Sequence, residues 1–379
     1  MSNRSVDTMH KSVHEPRANR LPKGRWANTV MLLALVSFLV LALVFGLVGR
    51  LSRGVNPPSV TLGVGFESVT DDEVDWQHIR QRMDAAGVDG ATISVGRGDF
   101  MGIPVAGQEQ YWAGGIDASA DRVGDIVDTL RKDSDRRIGL TVDVLAPRIV
   151  GQHDTYKARF ADGSEAVDFP SALALHDGEV GERVVAMCGE AARRYKPDYI
   201  ALTELIGDAF FSEADEDLYR SMTGEPGFPR DEQGNIRVAD STLNNWQSEI
   251  ITDVIQRCQN TAGIAVEMDA RVNWDDPGTN RFDSGHRYED ILGTGADLAL
   301  WVYTGLAHVS PTVTHDVAAK LKDRFDNRER ERITLTVGLW GDMSHRDVKQ
   351  ALRSGEGFDM SLTPMSMMDD KHWEILERL

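Results

Sequence analysis

The sequence predicts an α/β chain, a (β/α)8 TIM barrel preceded by a single N-terminal transmembrane helix. Three observations predict it. Residues 26–49 form an uncharged, mostly apolar run of 24 residues between Arg25 and Arg50. Beyond residue 59, eight short apolar runs alternate with amphipathic stretches, the pattern of parallel strands joined by helices. Within those runs bulky branched residues alternate with small or polar ones, which suits a sheet closed on itself.

Composition sets the outer bounds. With 379 residues, 41% hydrophobic and 27% charged, the chain can bury a sizeable core and is not a disordered or collagen-like polymer. Sixty acidic against 41 basic side chains give a net charge of −19, which argues against a nucleic-acid partner. Two cysteines are too few for a disulfide scaffold or a cysteine-based zinc cluster.

The first element is the span. About 20 apolar residues cross a bilayer's hydrocarbon core, and a cleaved signal peptide has a shorter apolar region ending in small residues. Here bulky residues continue to Leu47 and Val48. Residues 1–25 carry Arg4, Lys11, Arg17, Arg20, Lys23 and Arg25 against Asp7 and Glu15, a tail of +4 that leaves −23 on the remainder. The positive-inside rule therefore places the basic tail (1–25) in the cytoplasm. The span (26–49), a short linker (50–59) and an extracytoplasmic barrel (60–379) follow, so the expected location is the cell membrane, single-pass.

The eight strands are expected at Val60–Glu67, Ala91–Arg97, Ile138–Leu145, Asp198–Glu204, Gly263–Arg271, Asp297–Tyr303, Ile333–Trp340 and Phe358–Pro364. Helices are expected near 72–86, 118–133, 178–196, 242–261, 315–330, 344–354 and 369–378, with only a short turn at 287–293 before the sixth strand. In the first strand Leu62, Val64 and Phe66 alternate with Thr61, Gly63, Gly65 and Glu67; the third, fifth and seventh strands repeat the pattern. The branched set would face the helices and the small or polar set the barrel axis, implying a roomy or polar interior. An open doubly wound sheet is the competing architecture, but GVGFES after the first strand lacks the G-x-G-x-x-G spacing of a dinucleotide turn. Cys188 and Cys258 fall on the helices before the fourth and fifth strands. They are a candidate disulfide or two separate buried thiols.

In such barrels the site lies at the C-terminal strand ends. Those ends carry Glu67, Asp143, Glu204, Glu267 with Asp269, Trp301 with Tyr303, Trp340 with Asp342, and Thr363. Carboxylates in a rim cost desolvation energy and are rarely there for stability alone. Beside aromatic faces they suit a sugar, and a pair of Asp/Glu is the minimum equipment for cleaving a glycosidic bond. Glu67, Asp143, Asp269, Trp301, Tyr303, Trp340 and Arg148 are read as substrate-binding. By strict parity with Ile200 and Leu202, Glu204 points outward, so the strand's end must turn it in. The loops 147–178 and 205–241 are long enough to shape a cleft, and Tyr156, Phe210, Phe211 and Tyr219 are candidates to extend it. His153, His176, His286 and His308 show no paired metal spacing and H-E-x-x-H is absent, so no metal or cofactor is expected.

The segment KPDYIALTELIGD (Lys196–Asp208) resembles barrel glycoside hydrolases of the large retaining clan, most of all mannanase-type members whose acid/base Glu stands in a T-E-L context. The resemblance implies that Glu204 is the acid/base and that Tyr303 hydrogen-bonds the nucleophile. It departs at the seventh strand, where the family's nucleophilic Glu is absent and TVGLWGDM offers only Asp342. The second carboxylate is then Asp342, Glu267 or Asp269, or the barrel is no hydrolase. The expected function is a membrane-anchored glycoside hydrolase acting on a cell-envelope or extracellular polysaccharide or oligosaccharide. The alternative is a non-catalytic glycan-binding or envelope-scaffolding barrel. An aldolase or isomerase barrel is disfavoured by the lack of an inward strand lysine and of a Gly-rich phosphate loop.

Overall fold

The computed structural model describes residues 59–379 apart from 115 and 117–120. The expected basic tail, span and nearly all of the linker lie outside the described residues. No helix among the described residues is long and apolar enough to cross a membrane.

Eight parallel strands alternate with eight helices. They run β1 Val60–Val64, α1 Trp76–Ala86, β2 Gly90–Arg97, α2 Arg122–Arg131, β3 Arg137–Asp143, α3 Glu179–Tyr195, β4 Tyr199–Thr203 and α4 Ser241–Ala262. The second half runs β5 Ala265–Arg271, α5 Tyr288–Gly293, β6 Asp297–Val302, α6 Val313–Arg324, β7 Ile333–Gly338, α7 His345–Ser354, β8 Asp359–Thr363 and α8 Asp370–Leu376. Each strand pairs with its chain neighbours, and β8 pairs with β1, which closes the barrel. The open-sheet alternative is thereby excluded. Residues 287–293, expected as a short turn, form α5. Its buried Tyr288, Ile291 and Leu292 pack an apolar face inward, so even the shortest crossover covers the sheet.

Parity sorts the side chains as the alternation requires. Leu62, Ile93, Leu140, Leu202, Met268, Leu300 and Val337 are fully buried between the strands and the helical ring. Facing the axis instead are Gly63, Thr92, Ser94, Thr141, Asp143, Thr203, Glu267, Asp269, Ala299, Thr336, Ser361 and Thr363. Those small side chains leave an upper cavity of about 470 Å³.

The barrel floor is closed by Tyr199, whose ring lies against Gly139, where any Cβ would collide with it. Its hydroxyl is 2.5 Å from Thr92 Oγ1 and the Arg137 guanidinium lies 4.3 Å from its ring centre. Outside the barrel, Cys188 on α3 and Cys258 on α4 form a disulfide with Cα atoms 5.6 Å apart.

The two long loops are more ordered than a sequence without periodicity suggests. Residues 147–178 contain the hairpin Lys157–Arg159/Glu165–Pro170 and a helical turn at Ala172–His176; residues 205–241 contain a helix at Glu213–Thr223. Phe210, Phe211 and Tyr219 do not extend a groove. They are buried with Phe228 around Trp246, with ring centres between 5.2 and 6.3 Å apart. The acidic 213–217 stretch is the first turn of that helix. Ser212 and Asp215 form a capping box there, and the fully buried Asp215 also accepts from the Leu173 N–H. Tyr156 is half-buried and its hydroxyl accepts from the Glu179 N–H at the start of α3.

Candidate active site

The upper cavity opens at the C-terminal ends of the strands. A second cavity of about 460 Å³, lined by Glu204, Arg271, Trp274, Arg281 and Trp301 among others, continues it. Tyr303 and Trp340 line both, so the two form one cleft.

Glu204 enters this cleft by a backbone device. It follows the last residue of β4 and adopts a left-handed φ of 59°, a conformation that costs a β-carbon-bearing residue roughly 1–2 kcal/mol. Alternation with Ile200 and Leu202 would otherwise aim it at the helices. Strain of this kind persists only where the surroundings enforce it. The fully buried His286 supplies that enforcement: Nε2 bonds the Leu205 carbonyl at 2.9 Å and Nδ1 accepts the Arg271 N–H at 3.0 Å. The chain just after Glu204 is thus clamped to the end of β5. Burial holds the His286 imidazole neutral, with its pKa pushed down to about 4, so it can bond both backbone groups at neutral pH.

Around Glu204 the charges are set in opposition. Burial raises its pKa; the Arg271 guanidinium opposes this and Asp208 adds to it. Arg271 Nη1 donates to Asp208 Oδ2 at 2.6 Å, while Asp208 Oδ1 is buried with no hydrogen-bond partner among the described residues. Asp143, the last residue of β3, is pushed up to about 7, first by burial and further by Glu204, against the Leu145 N–H bonded to it at 2.8 Å. Asp269 also rises to about 7 by burial, with the Thr203 hydroxyl favouring its ionised form and Glu204 opposing it; the buried Trp301 Nε1 has no hydrogen-bond partner among the described residues. Glu204 therefore acts electrostatically on two other carboxyls of the same cleft.

Glu267 sits deeper. Burial and the neighbouring Asp269 push it up to about 8, and the groups that act on it, Arg137, Asp297 and Asp359, belong to the barrel's lower half. It also lines the small hollow beside Tyr199 at the floor. Period-two alternation explains the depth, since Glu267 and Asp269 share the inner face of β5 one step apart.

The aromatic wall is built by β6 and β7. Trp301 and Tyr303 stack with ring centres 5.3 Å apart and planes 13° from parallel, and Trp340 leans on Tyr303 at 5.1 Å. Gly338 makes room, because a Cβ there would lie 2.6 Å from the Tyr303 ring. Asp269 and Glu204, after burial, hold the Tyr303 hydroxyl well above its usual pKa. It stays protonated at neutral pH.

Two expected residues sit elsewhere, and a third lines only the mouth of the cavity. Asp342 is exposed in the loop after β7 and lines neither cavity. Arg148 does not face the cleft; its guanidinium donates to the Asp99 and Gln110 carbonyls and its N–H to the buried Asp99 carboxylate. Glu67 lies three residues past β1 in the helical turn Phe66–Thr70, at the cavity mouth, where it accepts from Ser366 Oγ at 2.7 Å. Asp208, Trp274 and Arg281 carry no role in the sequence reading, and His286 enters it only as a histidine without metal spacing. Asp208 is legible in hindsight four residues beyond Glu204, but His286 is marked only by tertiary contact.

Fold and site together define a (β/α)8 barrel with a carboxylate-rich, aromatic-walled cleft at the C-terminal ends of its strands. Solved structures share the fold at low identity. The PgaB (BpsB) glycoside hydrolase domain from Bordetella bronchiseptica superposes with a TM-score of 0.62 at 12% identity, over 85% of this chain and 98% of that one. The catalytic domain of beta-amylase from Paenibacillus polymyxa gives 0.54 at 10%, over 84% and 97%. A beta-galactosidase from the psychrophilic Marinomonas ef1 gives 0.60 at 10%, over 84% of this chain and 58% of that one. No protein-family model and no curated protein matches the sequence.

Proposed function

We propose that this chain is a membrane-anchored, extracytoplasmic glycoside hydrolase acting on a polysaccharide or oligosaccharide of the cell envelope or its surroundings. The observation that carries the reading is Glu204, turned into the cleft against its strand's parity and electrostatically coupled there to Asp143 and Asp269. Glu204 is the proton donor to the glycosidic oxygen, since burial and Asp208 favour its protonated form. Asp269 is the second carboxylate and serves as nucleophile or water-activating base once ionised; the Thr203 hydroxyl favours that form against the rise to about 7 that burial imposes. Asp143 holds substrate hydroxyls, and the Trp301–Tyr303–Trp340 wall covers the apolar face of a sugar ring.

Glu204→Gln and Asp269→Asn should each lower kcat for polysaccharide cleavage by about 10²–10⁴-fold, with oligosaccharide binding retained. Reducing-end release and calorimetric binding on the purified full chain measure the two effects. A second reading, a glycan-binding barrel without catalysis, draws on the seventh strand, which ends at Gly338, is followed by Leu339 and Trp340, and adds no carboxylate to the cleft. Binding by the wild type and both variants with no product from any of them would establish that reading instead.

A further inference from the structure

Away from the cleft floor, three potential metal donors converge that no sequence spacing announces. His345 opens α7, Asp369 caps α8, and His372 lies in the first turn of α8. His345 Nε2 lies 2.8 Å from Asp369 Oδ2, and His372 Nδ1 lies 2.9 Å from Asp369 Oδ1. The two imidazole rings are 4.6 Å apart, and one donor atom from each residue lies within 4.8 Å of the other two. Tetrahedral zinc, with bonds of roughly 2.0–2.2 Å, holds its donors roughly 3.3–3.5 Å apart, so small side-chain adjustments suffice.

We infer that His345, Asp369 and His372 form a divalent transition-metal site, whose two imidazoles and one carboxylate favour zinc over magnesium and calcium. The donors are pre-oriented. Asp369 Oδ1 accepts the Lys371 and His372 N–H groups, each at about 3 Å, which fixes the carboxylate as outer-shell partners do in metal sites. His372 is packed to 9% exposure while His345 is 40% exposed, so one face stays open for water to complete the coordination. The neighbouring Asp370 is engaged by Arg82 at 2.7 Å and does not compete for the ion. The α8 capping box uses Asp369 and the His372 side chain, whose Nδ1 accepts the Asp369 N–H at 3.1 Å and would exchange that bond for the ion; His345 on Asp369 Oδ2 exceeds what the cap needs. A bound ion would tie the loop after β7 to the loop after β8, the latter also carrying Ser366 against Glu67. The site stands independently of the glycosidase reading.

The test titrates zinc chloride into the full chain carrying His10→Ala and His14→Ala, which remove a tail pair spaced four residues apart. Equilibrium dialysis should find one zinc per chain. His345→Ala, on the exposed side, and Asp369→Asn should each weaken binding at least about tenfold with unchanged circular dichroism. Zinc should raise the Tm of the parent but not of His345→Ala. No stoichiometric zinc in the tail-substituted parent, or an affinity unmoved by His345→Ala, would overturn the assignment and leave the triad a hydrogen-bonded helix cap.

Discussion

At the scale of single residues the barrel interior is an acid store. Asp143 and Asp269 are raised to about 7 and Glu267 to about 8, each chiefly by burial. Between the ordinary carboxyl range and those values the folded chain binds more protons than the unfolded one, so stability falls as pH rises. It is fully present below about pH 4 and lost through about pH 8, at about 1.4 kcal/mol per pH unit for each group titrating alone. Glu267→Gln removes the deepest of the three. Urea denaturation from pH 5 to 8 should show a shallower decline for this variant than for wild type, and parallel slopes would refute the assignment. Parity alone made Glu267 and Asp269 legible as interior residues. It pointed Glu204 the wrong way, because a single left-handed φ resets the alternation and no residue type other than glycine advertises one.

At the scale of elements, strands and helices were readable because each strand is buried on its outer face and each long helix carries one apolar stripe. The strand ends ran long in the sequence reading. Residues such as Glu67, Tyr303 and Trp340 continue the apolar alternation after the chain has left the sheet. The loops 147–178 and 205–241 were illegible for a different reason. Phe210, Phe211, Tyr219 and Phe228 of the second serve a local core around Trp246, Phe160 and Phe169 of the first pack on a separate small cluster, and exposed and buried aromatics look alike in sequence. The α3–α4 disulfide joins residues 70 apart, a loop whose closure stabilises the fold by about 4 kcal/mol in the chain-entropy account. The Cys188→Ala/Cys258→Ala pair should lower the unfolding free energy by that order in denaturant titrations, and reductant should do the same to wild type. A reductant-insensitive wild type would mean that the pair does not staple the helices.

At the scale of the whole molecule the charge divides sharply, with a basic tail before the apolar run and a strongly acidic chain after it. A disulfide between two outer helices suits an oxidising exterior, in keeping with the proposed orientation. A reporter that fluoresces only in the cytoplasm, fused after Leu379, should stay dark, whereas the same reporter before Met1 should fluoresce. A bright C-terminal fusion would reject the outward-facing barrel.

Sequence alone determined the elements, their alternation and the presence of acids and aromatics at the strand ends, because period-two and helical patterns are local and each element reports its own burial. Closure of the sheet, the inward turn of Glu204, the clamp by His286 and the meeting of His345 with His372 were decided only by tertiary structure. Each of these depends on which distant segments share a wall, and neither composition nor spacing records that.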